Sequence, residues 1–386
     1  ISYYKEKDPS ELALINYTSG TTGFSKGVML PYRALWSNID FAKGVLGKTI
    51  KKGDNTISIL PMAHMYGMSF EFLFEFLHGC HVFYLTRVPS PAIIAQAFKD
   101  VKPAIVIAVP LVIEKIIRKK VFPQIQNTKV KLLMKMPGVG KKVKKRICEQ
   151  VYQAFGGNLY EVIIGGAALN QEIESFLKDI DFPFTVGYGA TECAPIITYS
   201  DWHDFVPMSC GREVVHMEVK IDSENPETVP GEILARGLNV MLGYYKNDEA
   251  TAQTIDKDGW YHTGDLGLMD KGGNVFIKGR SKNMLLGPNG QNIYPEEIED
   301  KLNSMTFAME SVVVQRDGKL VGLVHPDFDE VQAMGLSRDD LQSLMEENRV
   351  QVNANLPVYC KIAAIEIHDE EFEKTPKKSI KRYLYK

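Results

Sequence analysis

The run Tyr17-Thr18-Ser19-Gly20-Thr21-Thr22-Gly23-Phe24-Ser25-Lys26-Gly27 gathers hydroxyls, three glycines and one lysine into a single stretch. Glycine lets backbone N–H groups approach an anion closely and lysine supplies charge, so such a loop is suited to cradling a polyphosphate. It is not a Walker A loop, which has Gly directly before Lys and Ser or Thr after it. Here Ser25 precedes Lys26 and Gly27 follows. A polar surface turn would need neither the closing lysine nor so many hydroxyls. Further along, Tyr188-Gly189-Ala190-Thr191-Glu192 sets a flat aromatic surface beside a close backbone approach, a hydroxyl for a phosphate and a hard oxygen for Mg²⁺. In Trp260-Tyr261-His262-Thr263-Gly264-Asp265-Leu266-Gly267, the Asp265 carboxylate can accept hydrogen bonds from two vicinal hydroxyls. Taken singly, both strings also read as ordinary turns at strand ends.

Periodicity indicates the elements that must hold these groups. Val- and Ile-rich runs at 12–18, 55–61, 81–86 and 104–110 alternate with helix-length stretches, one of them opened by Pro31. That spacing predicts buried parallel sheets and an α/β region over residues 1–200. From Asp201 the apolar alternations shorten and are broken by Gly, Pro and Asn, as in HMEVKID, GEILARG and GNVFIKG. This texture predicts antiparallel strands of a small barrel or distorted sheet over 201–279. Residues 280–386 mix strands (SVVVQRD, KLVGLVHP) with charged helices (YPEEIEDKLNS, SRDDLQSLMEEN), which predicts a small α+β domain with its boundary at Gly279 to Lys282.

A chain of 386 residues, 45% hydrophobic and 24% charged, is globular and long enough for about two or three domains. Its 45 lysines and arginines against 48 acids leave a net charge of −3, which argues against a general nucleic-acid binder. Cys80, Cys148, Cys193, Cys210 and Cys360 form no C-x-x-C pair and no ligand spacing, so reduced thiols in a cytoplasmic protein without structural zinc are expected. The apolar run from Ala104 to Ile113 is interrupted by Pro110 and falls short of the roughly 20 residues of a membrane span. The opening ISYYKEKDPSEL has neither an initiator Met nor a signal-peptide core, and reads as a chain already under way. Between Glu114 and Arg146, Glu114 is the only acid against twelve lysines and arginines. This basic 115–146 segment reads either as a solvated helical face or as a contact with a polyanionic cofactor or, peripherally, with an anionic membrane surface.

The segments above, in this order, resemble the adenylate-forming superfamily of acyl-CoA synthetases, luciferases and peptide-synthetase adenylation domains. The resemblance implies a large α/β domain of stacked sheets with a small distorted β-barrel, followed by a small C-terminal α+β domain. It also implies that part of the large domain, contributing to the acyl pocket, would precede the phosphate loop. By resemblance, Thr18, Lys26, Thr191 and Glu192 are catalytic, and Ser19, Gly20, Thr21, Thr22 and Gly23 cradle the phosphates of ATP. Thr22 and Glu192 would hold Mg²⁺. Gly166, Ala167 and Ala168, with Tyr188 and Gly189, would line the adenine pocket, and Asp265 would hold the ribose. Ile277 would pack on the nucleoside, Arg280 would lie near ribose and phosphate, Lys282 would be the hinge, and Gly290 would belong to a loop of the pantetheine tunnel. His64, in Pro61-Met62-Ala63-His64-Met65-Tyr66-Gly67, resembles a residue near the substrate carboxylate, although a lone histidine there also reads as a satisfied core residue. The basic helical insert resembles long-chain fatty-acid–CoA ligases most, implying a long-chain fatty acid and coenzyme A as substrates. One departure stands at the C-terminus: where relatives carry a catalytic lysine this chain has Ser379, so Lys378, Lys377 or Lys381 would have to substitute, with the adjacent Lys378 taken as the catalytic one. A fatty acyl-AMP or acyl-carrier-protein ligase would share every nucleotide motif, and Ser379 also fits a catalytically impaired nucleotide- or acyl-binding homologue.

Overall fold

The computed structural model describes residues 7–19, 25–85, 91–125, 132–134, 136–287, 290–374 and 380–385. Strands Leu12–Ser19 and Ser25–Pro31 form an antiparallel hairpin in which Thr18 faces Lys26 and Ser19 faces Ser25. A short third strand, Gly243–Tyr244, joins the outer side of Ser25–Pro31. Two expectations change here. The run before Pro31 is a strand that the sequence reading passed over, and the first strand pairs antiparallel instead of entering a parallel sheet. The physical reason is that only five residues separate the two strands, too few for the helical crossover that parallel pairing requires. Val28 and Leu30 are fully buried by this hairpin. The helix Tyr32–Val45 then starts directly after Pro31.

The parallel sheets are present as expected. Asn55–Ser58 pairs in parallel with His81–Tyr84, and Ile105–Ala108, Glu161–Ile164 and Phe184–Val186 form a three-stranded parallel sheet. IVIA and EVII are buried at every position, because helices cover both faces. After Pro61 the chain forms a wide π-type helix, Gly67–Phe74, continued by Glu75–His78. Met217–Asp222, Gly231–Gly237, Tyr261–Met269 and Val275–Arg280 form an antiparallel four-stranded sheet in that order. MEVKID buries alternate residues, as a one-sided sheet demands. One continuous apolar core runs from Phe41 to Val275.

Ala308–Arg316 and Lys319–Pro326 form a hairpin to which Ile362–Ile367 adds in parallel. Helices Pro295–Asn303 and Arg338–Ala354 supply Ile298, Leu302, Leu341 and Met345 to a separate core with Val324 and Ile362. Pro295 opens the first helix with its φ preset. Ser337 and Asp340 form a reciprocal capping box at the start of the second. Asn170 joins the two cores: it caps Gln171–Asp179 and donates to Ser304 Oγ at 2.7 Å and Asp300 Oδ1 at 3.2 Å. Among the described residues no helix is long and apolar enough to cross a membrane.

Candidate active site

Asp265 lies mid-strand in Tyr261–Met269, directly opposite Arg280 at the end of the neighbouring strand. Arg280 Nε donates to Asp265 Oδ1 at 2.7 Å, and the Tyr188 hydroxyl donates to Oδ2 at 2.7 Å. Arg280 also reaches the Thr263 carbonyl at 3.2 Å, and Thr263 Oγ accepts the Asp265 N–H at 3.0 Å. Burial pushes the Asp265 carboxyl up from its ordinary value, opposed first by the guanidinium and then by the tyrosine, with Glu296 and Glu192 adding to the push. Burial also pushes the Tyr188 phenol well up, so it remains a donor. A carboxylate offers about four lone-pair sites, and two are taken here, so two remain for a ligand diol.

Tyr188 owes its position to a tight return of the chain. A Cβ on Gly189 would fall 2.1 Å from the Pro195 carbonyl oxygen, so only glycine allows the strands Tyr188–Gly189 and Ile196–Tyr199 to meet there. Tyr188, Gly189 and Gly166 border a narrow apolar cavity of about 70 Å³, with Tyr66, Phe70 and Tyr199 on its other walls. The Tyr66 hydroxyl donates to the Ile163 carbonyl at 3.1 Å, which fixes the ring over Gly165. Gly166, Ala167 and Ala168 form an exposed rim next to this cavity.

The second group of side chains centres on Glu192. Its short helical turn, Thr191–Cys193, is gripped from below. Asn38 donates to the Cys193 carbonyl at 3.2 Å and accepts the Ile196 N–H at 3.0 Å, while Ser69 donates to the Ala194 carbonyl at 2.7 Å. The Met241 N–H holds the Glu192 carbonyl at 2.8 Å. Thr191 is buried in the same turn. The Tyr244 hydroxyl donates to Glu192 Oε1 at 2.9 Å, and Lys26 Nζ rests 4.5 Å from the centre of the Tyr244 ring. Burial, and next the Glu192 charge, push the Tyr244 phenol up and keep it protonated. Thr18 faces Lys26 across the hairpin. Asn16, on the same strand, donates to the Ala63 carbonyl at 2.7 Å and so brings the turn carrying His64 against the hairpin.

The structure therefore brings Thr18, Lys26, Thr191, Glu192, Tyr188, Gly189, Asp265 and Arg280 into one region, with the Glu192 charge felt at both Asp265 and Arg280. Ser19 lies in the hairpin backbone, opposite Ser25. Ile277 sits half-buried on the Arg280 strand, against the main core. Lys282 is exposed in the turn after Arg280, and Gly290 lies in a loop where an added side chain would meet nothing within 4 Å. Gly20, Thr21, Thr22, Gly23, Lys377, Lys378 and Ser379 lie outside the described residues. Lys381 is described and pairs with Glu373 at 3.1 Å, while Arg382 clamps the buried Glu299 with both of its terminal nitrogens. Sequence reasoning missed Tyr244, the link between Lys26 and Glu192. The only local signal is an aromatic pair after Gly243, and its partners are more than fifty residues away.

Among the described residues no group of three or more potential ligands could hold a metal alone. Mg²⁺ does not require one: it binds through one or two carboxylates together with phosphates and water. Glu192 fits that role, since its second oxygen makes no hydrogen bond among the described residues, and the phenol that donates to its first oxygen carries Lys26 over its ring.

A family model described as AMP-binding enzyme matches residues 3–245. The chain belongs to this AMP-binding family of adenylate-forming enzymes. It is 29% identical over 341 residues to the long-chain-fatty-acid–CoA ligase ACSBG2 of Rattus norvegicus, covering 81% of this chain and 49% of that protein. It is 30% identical over 335 residues to the long-chain-fatty-acid–CoA ligase of Escherichia coli, covering 85% of this chain and 51% of the relative. The chain thus spans about half the length of the curated relatives it matches. The solved O-succinylbenzoate coenzyme A synthetase of Bacillus subtilis, in complex with ATP and magnesium ion, shares the fold with a TM-score of 0.73 at 20% identity, covering 97% of this chain and 70% of that one.

Proposed function

We propose that this protein activates a long-chain fatty acid through an acyl-adenylate and passes the acyl group to coenzyme A. The observation that carries the reading is the convergence of two clusters, Tyr188–Asp265–Arg280 and Lys26–Tyr244–Glu192, on one region. The first has the chemistry to hold a ribose, and the second to hold charged phosphates. A carboxylate oxygen of the fatty acid attacks the α-phosphorus of ATP, the bond to the β-phosphate breaks, and pyrophosphate leaves. Lys26 is aimed where charge spreads over the phosphate oxygens during this step. Mg²⁺, held by Glu192 and Thr22, would add Lewis-acid neutralisation of the same charge. In the second step the thiolate of coenzyme A attacks the acyl carbonyl, and AMP departs with the oxygen that joined it to the acyl group. Residues 280–386, pivoting at Lys282, would shield the adenylate from water between the steps. Long-chain specificity rests on the named relatives and on the basic insert, and Lys378 is the residue we assign to the role that Ser379 cannot fill.

Incubation with ATP, Mg²⁺ and a series of fatty acids must release pyrophosphate, with long chains favoured. Binding of ATP without turnover across the series would favour the impaired homologue that Ser379 suggests. Thioester formation on a carrier protein but not on coenzyme A would identify the alternative ligase.

A further inference from the structure

The charge asymmetry of the 114–146 segment takes no part in the site described above. We propose that the turn before the helix Val139–Ala154, together with the outer face of its first two turns, docks onto an anionic lipid bilayer. Leu132, Leu133, Met136 and Val139 are exposed by 64%, 39%, 44% and 42%. Their described neighbours are tied to the fold. Met134 packs against the main core, the Gly140 N–H donates to the Met136 carbonyl at 2.8 Å, and Gly140 lies so close to the Met134 carbonyl that a Cβ would come within 2.3 Å of it.

Directly after this apolar tip come Lys141, Lys142, Lys145 and Arg146, all exposed, while Ile147 and Val151 face inward. Among the described residues no acid pairs with any of the four. The cation between them, Lys144, is used instead to fasten this helix to Asp179 at 2.5 Å. Glu114, the only acid of the segment, is turned inward to accept the Asn170 N–H at 3.0 Å. The helix also breaks a local rule. Its N-terminus has no acidic residue in the first turn and no side-chain cap, yet it collects cations where the backbone dipole favours anions. Uncompensated breaches of this kind mark functional surface.

Apolar tips beside unpaired cations match a bilayer, which takes the tips into its interface and the ammonium groups among its anionic head groups. A nucleic acid would take the charges and leave four aliphatic side chains in water. The inference stands apart from the proposed chemistry, because it concerns a different surface.

The test is co-sedimentation of the chain with vesicles of phosphatidylcholine alone and of phosphatidylcholine mixed with phosphatidylglycerol. Binding is expected on the mixed vesicles and not on the neutral ones. Lys141→Glu with Lys142→Glu, and separately Leu132→Ser with Leu133→Ser, should each lower partition about tenfold or more. A Leu132→Trp variant should shift its fluorescence to the blue on mixed vesicles, a readout that needs no loss of binding. Equal binding to both vesicles, unchanged partition of folded variants, or retention of duplex DNA without vesicle binding would each overturn the proposal.

Discussion

At the Tyr188–Asp265–Arg280 end of the candidate site, carboxylate, phenol and guanidinium are bonded to one another before any ligand arrives. At the Lys26–Tyr244–Glu192 end, the ammonium rests on a ring face and, among the described residues, one carboxylate oxygen accepts no hydrogen bond. Asp265 and Arg280 belong to the four-stranded sheet, and Tyr188 ties it to the neighbouring sheet that contains Ile196–Tyr199. The other end lies where a hairpin, a short helical turn and a two-residue strand meet, and its groups are poised to exchange partners when phosphates and a cation enter. On the proposed function, recognition of the nucleoside would be preformed, whereas neutralisation of the phosphates would be completed by the ligand.

Substitutions that separate fold from chemistry test this contrast. Asp265→Ala should have the largest effect, removing measurable nucleotide binding and also lowering the apo melting temperature. Asp265 is buried while Arg280 is half-exposed, so the main loss is the buried carboxylate's hydrogen bonds, which typically costs about 1–3 kcal/mol. Calorimetry with and without ATP reads both effects, and an unchanged apo melting temperature would contradict the preformed end. Lys26→Ala and Glu192→Gln should each slow pyrophosphate release about 10²- to 10³-fold while apo stability stays near wild type. If either instead unfolds the protein, the two ends are not different in kind. Tyr244→Phe keeps the ring beneath Lys26 and removes the bond to Glu192, so a smaller loss of about tenfold in rate is expected.

The last test lies outside both clusters and concerns pH. Glu161 is fully buried and donated to by the Tyr199 hydroxyl at 2.5 Å, and burial pushes its carboxyl from 4.5 to about 8. Between those values the folded chain holds a proton that the unfolded chain has released, so rising pH costs stability through this window, by at most about 1.4 kcal/mol per pH unit. Denaturant titrations should show a shallower decline with pH for Glu161→Gln than for wild type, and parallel declines would remove this assignment.

Much of the site was legible because its chemistry is written in short strings. Lys26, Glu192 and Asp265 each stand among residues that make sense together, and the continuous Val and Ile runs indicated the parallel sheets. What escaped depends on distant partners. Ser25–Pro31 is a strand because Leu12–Ser19 and Gly243–Tyr244 flank it, and no local periodicity announces that. Tyr244 acquires its role only when that pairing carries it to Lys26 and Glu192. Asn170 draws no notice in the sequence, because its bonds to Asp300 and Ser304 follow from how the two cores meet.

The most direct measurement of the central claim follows an isotope. A long-chain fatty acid with heavy oxygen in its carboxylate, turned over with ATP and coenzyme A, should deliver one labelled oxygen to AMP and none to pyrophosphate. Label in an inorganic phosphate product, or thioester formed with unlabelled AMP, would contradict attack at the α-phosphorus and with it the account of the site.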